Sequence, residues 1–116
     1  MISSKEMAKI ACRALDEKKG IDIKIIDISD VSVIADYFII TGGSNQNQVK
    51  ALVDSVEEEL GKSGCSSNHI EGYTTANWVL MDYNDIIVHV FNQEDRFFYD
   101  LERIWRDGKE MSIDEL

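Results

Sequence analysis

Apolar residues recur along this chain with two periods, and the switches between them divide it into elements. Met7, Ile10, Ala11, Ala14 and Leu15 fall at helical spacing. They follow Ser3-Ser4-Lys5-Glu6, whose capping-box spacing sets Ser3 to accept a backbone N–H and Glu6 to reach back. Gly20 is positioned to end this helix. Ile21-Asp22-Ile23-Lys24-Ile25 then alternates with period two, as a half-buried strand does, and the pattern runs on to Ile28 with a break at Ile26. Tyr37-Phe38-Ile39-Ile40-Thr41 is apolar almost throughout, which predicts a central strand covered on both faces. Val49, Leu52, Val53, Val56 and Leu60 form the stripe of a second helix, opened by Gly42-Gly43-Ser44-Asn45 and stopped by Gly61 or Gly64. Residues 66–70 suit a short edge strand.

The next stretch, residues 71–105, organises the rest. Apolar runs at 78–81 and 86–91 flank Asp82-Tyr83-Asn84-Asp85, which supplies turn chemistry, so a hairpin is expected. With Tyr83-Asn84 as a two-residue turn, Asp82 faces Asp85, Leu80 faces Ile87 and Trp78 faces His89 on one side. On the other side Met81 faces Ile86 and Val79 faces Val88, a purely aliphatic face that belongs to the core. The Trp-His-Asp face has two readings. Left open, it is a docking surface in which an aromatic anchor is buried by a partner and the carboxylates select a basic one. Covered by helices, it buries Trp78 and leaves Asp82 and Asp85 as ordinary turn residues. A shift of one residue in register would exchange the two faces.

After Phe91, Asn92 can cap a third helix with Glu94 and Asp95 in its first turn and Phe97, Phe98, Leu101, Ile104 and Trp105 along its stripe. From Asp107 the chain is polar. The expectation is one α/β domain over residues 1–106 and a flexible C-terminal tail over 107–116. The element order is α-β-β-α-(β)-β-β-α, and the simplest architecture is a single mixed β-sheet with flanking helices.

Composition narrows the function classes. A chain of 116 residues with 44% hydrophobic residues can bury a core as one domain. No apolar run approaches the ~20 residues that span a bilayer, and the first residues do not read as a secretion signal. Two cysteines, Cys12 and Cys65, are no disulfide framework, so a cytoplasmic, reducing setting is expected. Twelve basic against 22 acidic residues leave a net charge of -10, which disfavours direct, specific DNA binding. The acidity can keep a small protein soluble, or it can suit a basic protein partner.

Three catalytic or ligand-binding readings can be weighed on residues. Gly42-Gly43-Ser44 between strand and helix could cradle a phosphate, but it is neither GxGxxG nor GxxxxGK[ST]. A Gly-Ser at a helix start also resembles the opening of the nucleotidyltransferase fold. Those enzymes cluster carboxylates around metal ions, whereas Asp54 and Glu57 sit in mid-helix. Cys65 and His69, with Cys12 and His89 elsewhere, lack the second local ligand pair that a zinc site uses. Nothing marks either cysteine as an activated nucleophile. No cofactor and no metal are therefore expected.

The motifs together carry a resemblance. Ala35-Asp36-Tyr37-Phe38-Ile39-Ile40 with Thr41-Gly42-Gly43-Ser44, then Glu71-Gly72, then the hairpin from Trp78 to Phe91, and the ending Arg96-Phe97-Phe98-Tyr99-Asp100-Leu101-Glu102-Arg103-Ile104-Trp105 resemble the ribosomal silencing factor family, also called Iojap-related proteins. The resemblance covers nearly all of residues 3–106. It implies a nucleotidyltransferase-like α/β fold without enzymatic activity. It further implies binding to the large ribosomal subunit at the ribosomal protein numbered fourteen, steric opposition to small-subunit joining, and lower translation when nutrients are scarce. A part in large-subunit maturation is implied as well. The family's contacts map by motif onto Trp78 and Asp82, with Tyr83, Asn84, Asp85 and His89 as neighbours. Asn84 stands where the family usually has glycine; Asn is the non-glycine residue that best accepts positive φ. The runner-up is a nucleotide-handling enzyme on the same fold, and a third reading is a homodimeric adaptor for another basic protein. A hydrophobic working face would also favour self-association of the free protein.

Overall fold

The first helix, α1, begins where Ser3 accepts the Glu6 N–H at 3.1 Å and runs over Ser4–Glu17. The computed structural model describes residues 2–30, 32–93 and 108–116. After α1 come β1 (Ile21–Asp27), β2 (Tyr37–Gly43), α2 (Gln46–Lys62), β3 (His69–Glu71), β4 (Trp78–Asp82), β5 (Ile86–Asn92) and β6 (Lys109–Met111). A 3-10 helix covers Ile113–Glu115. The expected helix carrying Phe97, Phe98, Leu101, Ile104 and Trp105 lies outside the described residues.

The strands form one mixed sheet in the order β3-β4-β5-β2-β1-β6. β2 and β5 pair in parallel at its centre, and the other neighbours are antiparallel. The apolar β2 is thus central, as its unbroken hydrophobic run predicts. Strand alternation sorts the side chains onto two faces. Ile25, Ile39, Val79, Met81, Ile86, Val88 and Val90 point to the face that α1 and α2 cover, where they meet Met7, Leu15, Val49, Leu52 and Leu60. Ile26, Ile28, Ala35, Ile40, Ile87 and Phe91 form a second buried cluster on the opposite face.

One expectation changes. The stretch over 107–116, expected as a loose tail, supplies an edge strand: Lys109, Glu110 and Met111 pair with Asp27, Ile26 and Ile25, and Leu116 is buried. Its backbone completes the ladder of β1, which its polar side chains do not signal. Asn92 ends β5, and the helix it was expected to cap lies outside the described residues.

Candidate functional site

The β4–β5 hairpin forms, but its register differs from the expected one by two residues. Trp78 pairs with Phe91, Val79 with Val90, Leu80 with His89, Met81 with Val88 and Asp82 with Ile87. The Tyr83 N–H continues the ladder to the Ile86 carbonyl at 3.0 Å, so Asn84-Asp85 is the turn. Because the slip is even, both faces keep their residues. Asp82 pairs with Ile87, so it does not face Asp85 across the ladder. Asn84 takes φ +69, and the Asp85 N–H returns to the Tyr83 carbonyl at 2.8 Å, a γ-turn. The Asn84 N–H donates to Asp82 Oδ1 at 2.8 Å, which pins that carboxylate to the turn.

The shift moves Tyr83 out of the turn and onto the helix-covered face, where it is 3% exposed. Burial there pushes its phenol up to about 12, with Glu57 adding to the shift. Its hydroxyl has no hydrogen-bond partner among the described residues. Tyr83 therefore supports the tip from below and is not part of the Trp78 face.

That face is partly open. Trp78, Leu80 and Asp82 lie at alternate positions of β4, each half-buried. Under them the β5 side chains His89, Phe91 and Ile87 are buried. Trp78 stacks on Phe91 with centroids 5.3 Å apart, and its Nε1–H donates to His89 Nδ1 at 3.2 Å. Phe38 meets the same imidazole edge-on at 5.1 Å. Burial holds His89 down at about 4, and its Nε2 has no partner among the described residues. His89 thus belongs to the floor of the face rather than its surface. Asn84 and Asp85 are exposed at the tip.

The residues 72–77 aim β4. Gly72 has φ +82, and a Cβ there would fall 2.1 Å from the Trp78 carbonyl oxygen. The Ala76 N–H returns to the Gly72 carbonyl at 2.9 Å, and the Asn92 N–H donates to the Asn77 carbonyl at 2.9 Å. Two further groups stand beside the site, neither of them assigned a docking role from sequence. Leu80 fills the row between Trp78 and Asp82. His69 on β3 brings Nδ1 to 3.7 Å from Asp82 Oδ2 because it pairs with Asp82 across the strands. The expectation of an edge strand near residue 70 was the signal that could have found the second contact.

The alternative sites are arranged differently. Asn45, not Ser44, caps α2 and accepts the Gln48 N–H at 2.9 Å. The Gln48 side chain accepts in turn from both the Ser44 N–H and its hydroxyl, at 2.6 and 2.7 Å. A Cβ on Gly43 would meet Val49 N at 2.9 Å, so this glycine serves the close strand–helix approach. Its neighbourhood is filled by the chain's own groups. Cys12 is buried, and desolvation pushes its thiol up to about 12, which makes it a poor nucleophile. Among the described residues, no three His, Cys, Asp or Glu side chains group as metal ligands, and no helix is long and apolar enough to cross a membrane.

Comparison with known proteins gives these motifs a family. The family model described as ribosomal silencing factor during starvation matches residues 1–116. The chain is 35% identical to ribosomal silencing factor RsfS of Bacillus subtilis over 113 residues, covering 97% of this chain and 96% of the relative. It is 27% identical over 94 residues to mitochondrial assembly of ribosomal large subunit protein 1 of Mus musculus, covering 78% of this chain and 41% of that protein. Its fold matches a crystal structure of a Chromobacterium violaceum protein with a TM-score of 0.87 at 35% identity, covering 96% of this chain and 92% of that one. With a full-length family match and a near full-length relative of this similarity, the chain belongs to the ribosomal silencing factor family.

Proposed function

We propose that this protein is a non-catalytic regulator that binds the large ribosomal subunit at its ribosomal protein fourteen and sterically opposes joining of the small subunit. By this route it lowers translation in the cytoplasm when nutrients are scarce. Family membership supports the silencing role, and the name of the mouse relative supports a part in large-subunit assembly. The observation that carries the reading is the Trp78–Leu80–Asp82 row, half-exposed on a floor of packed aromatic and aliphatic side chains.

Each member of the row has a distinct task. Trp78 supplies the aromatic anchor, already oriented by Phe91 and His89, so little side-chain entropy is lost on docking. Leu80 extends the apolar contact. Asp82, some 13 Å along the strand from Trp78, selects a basic group, and Asp85 and Asn84 form the polar rim. The net charge of -10 favours encounter with a basic protein surface. The same row gives the free protein a surface for homodimerisation that would compete with the ribosome. Co-sedimentation with purified large subunits tests the reading. Wild-type protein travels with the subunit at low salt; a wild-type protein left at the top of the gradient would overturn it.

A further inference from the structure

We infer that the loop joining β1 to β2 is a second arm of the docking surface, inserting Val33 and Ile34 into an apolar depression rimmed by lysine and arginine on the partner protein. The inference rests on the docking reading above and extends it to residues outside the hairpin.

The loop is held in place. Its base is closed by the Ile28 N–H to the Asp36 carbonyl at 2.9 Å, and the Ser32 N–H returns to the Ile28 carbonyl at 2.8 Å. The Ser32 hydroxyl oxygen accepts the Ile34 N–H at 3.1 Å. Inside the base, Ala35 is buried in the second cluster. The Asp36 N–H donates to the Asp85 carbonyl at 2.8 Å, which ties the loop directly to the hairpin turn. At its apex Val33 is fully exposed and Ile34 is 70% exposed. Single exposed aliphatic residues are ordinary on a protein surface. Two adjacent β-branched ones on a loop hydrogen-bonded to the hairpin turn form an apolar apex that contact with a partner would bury.

Charge identifies the kind of partner. No Lys or Arg occurs between Lys24 and Lys50, and none occurs between Lys62 and Arg96. The loop comes from the first of these segments and the hairpin from the second. From these two segments this end of the sheet presents Asp30, Asp36, Asp82 and Asp85 with no basic residue, and Lys109 of β6 stands opposite Asp27 at the loop's base. At the loop apex a second copy of the chain would bring Asp30 and Asp36 against their own counterparts, whereas a basic protein surface satisfies both the carboxylates and the apolar pair.

Affinity for purified large subunits, measured for wild type, the double variant Val33→Ser/Ile34→Ser, and Ile113→Ser, tests the inference. Ile113 is an exposed aliphatic residue beyond β6, whose antiparallel pairing with β1 carries it away from the loop. Circular dichroism and the melting temperature check that each variant is folded. The double variant should bind about ten-fold more weakly or worse, while Ile113→Ser binds as wild type. Wild-type affinity in the folded double variant would overturn the loop's role and leave the hairpin reading standing. If the double variant lost only self-association in sedimentation velocity, the patch would be a copy-to-copy contact and the inference would fail. A wild-type protein that does not bind would show instead that the docking reading itself is wrong, and the inference would fall with it.

Discussion

Trp78 Nε1–H donates to His89 Nδ1 across the β4–β5 hairpin at 3.2 Å, and with the Trp78–Phe91 stack this bond links the exposed row to its buried floor. Because the indole can only donate, Nδ1 must accept, which assigns the neutral imidazole its proton on Nε2. A protonated imidazole would lose that acceptor and carry a charge into an apolar cluster. The bond therefore contributes to holding Trp78 only while His89 stays neutral.

A pH dependence follows. The folded-state pKa of His89 lies near 4, below the 6.5 of the exposed group, so the unfolded chain takes up the proton first. The stability tied to neutral His89 is complete above about pH 6.5 and is lost as the pH falls from there to about 4. The loss should approach about 3 kcal/mol. Urea unfolding of wild type and His89→Phe between pH 7 and 4 checks this. The variant should have a flatter profile, and parallel profiles would remove His89 as the source.

The turn makes a prediction at Asn84, whose φ of +69 most L-residues resist. Asn84→Gly should be neutral to within about 0.5 kcal/mol, and Asn84→Ala should lose about 1 kcal/mol. The alanine also retains the backbone N–H that donates to Asp82 Oδ1, so its cost reports the conformation rather than that bond. Denaturant midpoints of the two variants measure the difference.

Gly72 is the less forgiving position. It combines a left-handed φ with a backbone approach that leaves no room for a Cβ. Gly72→Ala should cost more than about 2 kcal/mol and shift the start of β4, where Trp78 sits. Tryptophan fluorescence should therefore change in the native state along with the unfolding midpoint. An unchanged spectrum would mean that Trp78 is oriented by the β5 side chains alone.

These residues also show what sequence pattern can and cannot specify here. The period-two alternation of 78–82 and 86–91 divided the hairpin correctly into an aliphatic core face and a Trp-His face, because burial enforces that period. It could not tell whether Tyr83 was turn or strand, since a slip of two residues leaves both faces intact; contacts with the helix side decide it. The positive φ of Asn84 was legible through the glycine that the resembled family has at that position. The burial of His89 was not, because it depends on Phe38 and Trp78 closing around the ring. Strand β6 was illegible for a different reason: three mostly exposed residues join the sheet through backbone pairing, which leaves no hydrophobic period behind.

The central claim is that the Trp78–Asp82 face keeps the two ribosomal subunits apart, and subunit joining measures it directly. Purified large and small subunits are mixed with wild-type protein or Asp82→Lys, and light scattering follows formation of the joined ribosome. The Asp82 carboxylate also accepts the Asn84 N–H, so circular dichroism and the melting temperature first establish that Asp82→Lys is folded. Wild type should suppress joining, and Asp82→Lys at the same concentration should lose most of that effect. Equal suppression by the folded variant, or unimpaired joining in the presence of wild type, would contradict the account.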